Sequence, residues 1–192
     1  MDSRFSETDA EWSRLAALAA QGNQRALEQL CRKLLPRVRN LVRYLVRGER
    51  DVDDRSQEAM LLILRGIATY RGEGAFRSWC DRIVARSVFS ALSRQKRQLS
   101  AEALPEGGSR EPEAPEERGG TSYIERRRLV AQLDRLPLEQ RAALVCHHVL
   151  GMTAKEVAVD HQVSLETVRS RLKLGRQRLR DLARGPRSRK VG

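Results

Sequence analysis

Residues 153–182, TAKEVAVDHQVSLETVRSRLKLGRQRLRDL, decide how the rest of the chain is read. Thr153, followed three residues later by Glu156, forms a capping box in which each side chain can satisfy the other's orphan backbone amide. A short helix from Ala154 is expected to run to about His161. Ser164 then stands where it can cap a second helix, from Leu165 to about Leu182. Two helices joined at His161-Gln162-Val163 have helix-turn-helix length and spacing. At about 100° per residue, Leu165, Val168, Leu172 and Leu179 share one face of the second helix and dock inward. Glu166, Thr167, Ser170, Arg171, Lys173, Leu174 and Gln177 cover the outward face, flanked by Arg169, Arg176, Arg178 and Arg180. In such a motif the second helix enters the major groove with its early residues at base edges, and flanking arginines suit phosphates. An apolar stripe with a basic remainder also fits a plain surface helix, or one that binds calmodulin or a membrane. The capped helix and tight turn before it favour DNA.

Upstream of this motif every readable apolar pattern has helical period. Folding starts near Tyr123, where Leu129, Leu133 and Leu136 form a stripe that stops at Pro137, and a helix over 138–150 is ended by Gly151. Residues 101–120, AEALPEGGSREPEAPEERGG, hold three prolines, four glycines and little apolar mass, the composition of a flexible acidic linker. Before it, a helix around 11–20 is broken by Gly22. Asn23 can cap a second helix to about Arg47, which Pro36 should bend or split. Asp51, Asp53 and Asp54 meet the positive end of a helix running to about Thr69, whose centre, Met60-Leu61-Leu62-Ile63-Leu64, is apolar all round and expected inside a bundle. Tyr70-Arg71-Gly72-Glu73-Gly74 is a two-glycine break. The long helix after it carries Phe76, Trp79, Cys80, Ile83, Val84, Val88 and Leu92 on one stripe and ends in Arg94-Gln95-Lys96-Arg97. No strand of consequence is expected, so the fold is all-α: two small helical domains on a flexible linker.

The formal charge of +12 is distributed unevenly. Residues 1–98 carry 19 Lys/Arg against 12 Asp/Glu, and residues 122–192 carry 16 against 7, whereas 99–121 carry 2 against 6. Two basic blocks around an acidic one suggest two bodies that each meet a polyanion, the alternative being solvated arginine-rich helix faces. No run approaches the roughly 20 apolar residues needed to span a membrane, and MDSRFSETDAEW at the N-terminus has no secretory signal character. Cys31, Cys80 and Cys146 are odd in number and far apart, which fits a reducing cytoplasm better than disulfides or a paired-cysteine zinc site. Cys146-His147-His148 cannot converge on one ion, because adjacent helical side chains diverge by about 100°. No P-loop, nucleophile elbow or zincin motif appears, so neither catalysis nor a metal or cofactor is expected.

Two stretches together resemble a known family, the extracytoplasmic-function sigma factors of the sigma-70 family. Residues 133–182 are similar to its region 4: Leu133-Asp-x-Leu136-Pro137-x-x-x-Arg141, Gly151-x-Thr153-x-x-Glu156-Val157-Ala158, and Val163-Ser164-x-x-Thr167-Val168-Arg169-Ser170-Arg171-Leu172. Residues 51–98 resemble region 2: Asp51-x-x-Asp54-x-x-Gln57-Glu58, then Arg71-Gly-Glu-Gly-x-Phe76-x-x-Trp79, then Arg82-Ile83 and a basic helix end. The resemblance implies a domain at 1–98, a linker at 99–122, a helix-turn-helix domain at 123–184 and a basic tail at 185–192.

It also implies partners and sites. Asp51, Asp54, Gln57 and Glu58, on one helix face, would dock on the β′ clamp helices of core RNA polymerase; plain helix capping with the rest solvated is the alternative. Arg71, Phe76, Arg77, Trp79, Arg94, Lys96 and Arg97 would serve the melted −10 element, although both aromatics lie on an apolar stripe and read first as core. Glu166, Thr167, Arg169, Ser170, Arg171, Lys173, Leu174 and Arg176 would meet the −35 duplex, with the second domain on the β flap. The linker would lie near the nascent RNA. An anti-sigma factor is an expected partner, as a separate protein, since the chain ends without a sensory extension. The implied location is the cytoplasm, on the nucleoid when in holoenzyme. Several positions depart from the family pattern. His161-Gln162 stands where many relatives have Leu-Gly, Glu166 where glycine is frequent, Leu174 where a basic residue is usual, and Arg55-Ser56 where apolar residues are typical. Rival readings are a dimeric helix-turn-helix regulator that binds duplex DNA without polymerase, and a helical adaptor for polymerase that reads no DNA.

Overall fold

The computed structural model describes residues 3–48, 50–102 and 121–184. Most of the expected linker and the expected basic tail lie outside these residues. Among the described residues every regular element is helical and none is a strand. The chain divides into two compact units, Met1–Ser90 and Ala91–Gly192.

In the first unit, α1 (Ser3–Ala20) packs along α2 (Gln24–Leu45), and α2 along α3 (Arg50–Gly66). Gly22, at φ +86, makes the first turn, and the Asn23 side chain accepts a hydrogen bond from the Ala26 amide at 3.0 Å to start α2. The heptad-like run Leu30, Leu34, Val38, Leu41, Val42, Leu45 is buried throughout. Pro36 does not split the helix as the sequence allowed. It lies on the exposed side, where the carbonyl one turn back that loses its donor can be hydrated, so α2 continues through it. A 3₁₀ turn (Ile67–Thr69) and the glycine loop lead into α4 (Phe76–Glu102), which continues past the basic run where the sequence reading ended it. Two ion pairs tie α4 to its neighbours: Arg37 on α2 grips Asp81 in a two-pronged contact, with Nε to Oδ1 at 2.8 Å, and Arg77 donates from Nε to Asp9 on α1 at 2.7 Å. The core between them holds Leu30, Leu34, Ile63, Phe76, Val84 and Val88.

One sequence expectation fails in α3. Met60 and Ile63 are buried, but Leu61 is 53% and Leu62 40% exposed. An apolar run of five is longer than one helical face, so about half of it must look outward when only one side of the helix is covered.

The second unit is built on α8 (Leu165–Ala183), which packs against α5 (Thr121–Asp134), α6 (Leu138–Leu144) and α7 (Ala154–Asp160). α5 turns Val130, Leu133 and the following Leu136 inward, and Leu129, expected on that stripe, is exposed. At the end of the stripe Arg141 is fully buried with its Nη1 2.7 Å from Asp134 Oδ1, an ion-pair contact set off the angle of a hydrogen bond from that nitrogen. The helix expected over 138–150 is regular only to Leu144. Val145–Val149 winds one residue wider, with the Leu150 amide bonded to Val145 O at 3.1 Å and the Met152 amide to Cys146 O at 3.0 Å. Gly175 lets α6 approach α8 closely: a Cβ there would sit 2.8 Å from Leu144 Cδ1.

Candidate nucleic-acid interface and docking face

The turn between α7 and α8 fixes the angle at which α8 is presented. The capping box is formed in both directions: Thr153 Oγ1 accepts from the Glu156 amide at 3.2 Å, and Glu156 Oε2 accepts from the Thr153 amide at 2.8 Å. α7 ends in a Schellman motif, with the Val163 amide on Ala158 O at 3.0 Å and the Gln162 amide on Val159 O at 3.2 Å. The motif needs a left-handed residue. Gln162 supplies it at φ +53, where a side chain costs about 1–2 kcal/mol that glycine would not. Ser164 Oγ then accepts from the Thr167 amide at 3.1 Å and opens α8.

Val168, Leu172 and Gly175 form the buried underside of α8, with Leu165 and Leu179 half-buried at its edges. Glu166, Ser170, Lys173, Leu174 and Gln177 are exposed on the opposite face, with Arg169 and Arg176 exposed beside them. Thr167 and Arg171 are half-buried. Thr167 Oγ1 shares a 2.9 Å hydrogen bond with Ser164 Oγ, and Arg171 has a buried Nη1 without a hydrogen-bond partner. Arg178, which the sequence placed with the phosphate ligands, donates from Nη1 to Gln140 Oε1 at 3.0 Å and so helps hold α8 on α6. Behind the turn, His161 is buried with its Nε2 3.8 Å from Cys146 Sγ. Burial, assisted by Arg171 and opposed by Asp160, lowers the His161 pKa to about 4, and burial pushes the Cys146 thiol up to about 12. No cluster of three metal-ligating side chains occurs among the described residues.

In the first unit the glycine loop lies over an aromatic cluster. Tyr70, Phe76 and Trp79 pack with ring centroids 5.0–5.5 Å apart, and the Tyr70 hydroxyl donates to Gly74 O at 2.6 Å. Phe76 is fully buried and supports the loop from below, out of reach of DNA, whereas Trp79 is half-buried. Arg71 is exposed at the loop and Arg77 is held by Asp9; Arg94, Lys96 and Arg97, on the part of α4 that belongs to the second unit, are exposed, and Lys96 Nζ donates to Glu139 Oε1 at 2.6 Å.

Asp51, Asp54, Gln57 and Glu58 are all exposed on α3. Asp51 and Asp54 lie inside the helix, which starts at Arg50, so they are not its caps. At about 100° per residue, Leu61, Leu62 and Arg65 extend the same face. Sequence reasoning assigned the two leucines to the core; their i+3/i+4 spacing from Glu58 was the signal that they are surface. Ser56, on the opposite side, is buried and satisfied by donating from Oγ to Val52 O at 2.6 Å.

Comparison with known proteins matches one family in two regions of the chain. The family described as Sigma-70 region 2 matches residues 30–98, and Sigma-70, region 4 matches 126–179. The ECF RNA polymerase sigma factor SigE of Mycolicibacterium smegmatis is 34% identical over 186 residues, covering 94% of this chain and 71% of that protein. SigM, an ECF RNA polymerase sigma factor of Mycobacterium tuberculosis, is 33% identical over 177 residues, covering 92% and 85%. Among solved structures, the sigma factor RpoE in complex with the anti-sigma factor NepR from Bartonella quintana shares the fold, with a TM-score of 0.55 at 18% identity over 84% of this chain and 98% of that one.

Proposed function

The chain belongs to the extracytoplasmic-function sigma factors of the sigma-70 family, and from that premise we propose how its two units divide the work of transcription initiation. As a sigma factor it binds core RNA polymerase and directs it to a particular set of promoters. The observation that carries the reading is the succession, on one chain, of a region 2 match and a region 4 match, each with an exposed face of suitable chemistry.

In this reading residues 1–98 dock on the β′ clamp helices through the α3 face. The acidic and amide groups Asp51, Asp54, Gln57 and Glu58 precede Leu61 and Leu62 along this face, and the exposure of the two leucines supplies the apolar part such an interface needs. The loop carrying Arg71, the half-buried Trp79 and the basic run Arg94, Lys96, Arg97 receive the −10 strand, by stacking and phosphate contact. Phe76 and Arg77 position this surface, one from the core and one through Asp9. Residues 99–122 are the connector, and 123–184 read the −35 duplex with α8 in the major groove, seated on the β flap. Glu166, Thr167, Ser170, Arg171, Lys173 and Leu174 face bases there, and Arg169 and Arg176 take phosphates. The protein works in the cytoplasm, has no catalysis of its own, and is held in check by an anti-sigma factor, as the Bartonella relative in fold is bound by one. No helix among the described residues is long and apolar enough to cross a membrane.

A pull-down of purified core polymerase tests this assignment, with wild type beside Asp54→Arg/Glu58→Arg. Stable binding by wild type and its loss in the variant is expected. Equal binding by both would remove the α3 face from the interface, and no binding by either would remove the polymerase partnership.

A further inference from the structure

α8 carries one leucine that lies outside the protein core. Leu174 is 49% exposed, whereas the other leucines of the helix, Leu165, Leu172, Leu179 and Leu182, are buried or half-buried. It follows Ser170 by four residues and Thr167 by seven, so it stands on their face, about 10 Å along the axis from Thr167. Gln177 continues the face, and the exposed cations Arg169, Lys173 and Arg176 lie along one side of it. That charge favours a polyanion as the occupant over an apolar protein surface.

We infer that Leu174 reads a thymine through its C5 methyl group in the −35 duplex, and so is a specificity-determining residue of this chain. The inference rests on the reading that α8 enters the major groove of that element. Within the groove, base edges offer hydrogen-bond donors and acceptors and one exposed apolar group, the methyl of thymine. A leucine packed on that methyl buries apolar surface on both partners. Against a guanine or cytosine edge the same side chain displaces water from polar atoms and returns no hydrogen bond. Leu174 therefore selects for thymine and also against G·C pairs, a discrimination that an arginine at the same place would reverse toward guanine.

The test is methyl deletion. Holoenzyme is assembled from core polymerase and the full chain, and promoter fragments are taken from those that it transcribes. Each thymine of the −35 segment, on either strand, is replaced singly by deoxyuridine, which removes only the methyl. Wild type should lose about fourfold in promoter affinity at one position, the effect of one methyl-sized apolar contact. Leu174→Ala should bind the thymine promoter about fourfold more weakly than wild type and be indifferent to the same substitution. The exposed site and the good helix propensity of alanine leave folding intact, which circular dichroism checks. Methyl sensitivity at no position, or undiminished sensitivity in Leu174→Ala, would overturn the inference. So would a Leu174→Ala protein that keeps full promoter discrimination and loses a protein partner instead. A wild-type holoenzyme that starts no specific transcript would sink the sigma reading itself, and this inference with it.

Discussion

Removing the carboxylate of Asp134 should unfold the second unit while leaving the first intact. Arg141 is the largest fully buried side chain among the described residues, 1% exposed, and Asp134, 8% exposed, faces its Nη1 at 2.7 Å. A guanidinium inside the core cannot shed its proton, so Asp134→Ala leaves a buried charge without its carboxylate. Breaking a buried pair from one side costs about 3–5 kcal/mol. A small helical unit sits near the low end of the ~5–15 kcal/mol range of domain stabilities, so the variant should retain little. With a urea slope of about 1 kcal/mol per molar for so small a unit, its midpoint should fall by at least ~3 M. The chain provides its own control. Both tryptophans, Trp12 and Trp79, belong to the first unit, so their fluorescence reports that unit alone, whereas far-ultraviolet circular dichroism reports all the helices. Asp134→Ala should add an early dichroism transition with the tryptophan transition unmoved. Replacing both partners, Asp134→Leu/Arg141→Met, should recover most of the loss, since a well-packed apolar pair can match a buried ion pair. A dichroism midpoint within ~0.5 M of wild type, against the ~3 M expected, would refute the reasoning, and so would an equal shift in both signals.

Other expectations follow from the same geometry. Gln162→Gly relieves the left-handed strain at φ +53 and, after glycine's larger unfolded-state entropy, should stabilise the second unit by ~0.5–1 kcal/mol, read as an upward shift in its dichroism melt alone. His161 is held neutral in the fold at a pKa of about 4, below its ordinary 6.5, so its contribution is complete above pH 6.5 and fades as pH falls toward 4. The loss reaches about 3 kcal/mol at the acid end, and His161→Gln should flatten that part of the stability–pH curve relative to wild type. Gly175→Val should force Leu144 aside and cost roughly 1–3 kcal/mol by overpacking, measured by urea unfolding. Leu61→Ser/Leu62→Ser, on an already exposed face, should leave unfolding unchanged within ~0.5 kcal/mol and weaken core-polymerase binding at least tenfold by surface titration.

The parts of the fold legible in the sequence are those where one short pattern has one physical meaning. Thr153 and Glu156 at capping-box spacing, Asn23 after a glycine, and Ser164 ahead of an amphipathic run each specify a helix start through hydrogen bonds local to a few residues. The Asp134 to Arg141 spacing was visible as a motif, but its reason, a buried charge pair bracketing the Pro137 turn, needed the tertiary structure. Where the sequence reading went astray, side-chain type was ambiguous and packing decided. Leu61 and Leu62 are apolar yet exposed, Val130 rather than Leu129 faces inward, and the helix after Leu138 widens at Val145 so that the Met152 amide can reach the Cys146 carbonyl. The candidate site follows the same rule. The outward face of α8 was readable from the 3.6-residue period, but the diversion of Arg178 to Gln140 and the burial of Phe76 depend on neighbours distant in sequence.

Reconstituted transcription tests the central claim most directly. Core polymerase alone, core with the full chain, and core with an Arg169→Ala/Arg176→Ala variant are each given fragments of the source genome, and run-off products are mapped to their start sites. Wild type should produce a discrete set of starts absent from core alone, preceded by common −35 and −10 sequences, and the arginine variant should weaken all of them with a shallower salt dependence. No chain-dependent start, together with tight dimeric binding of the chain alone to duplex DNA, would contradict the account.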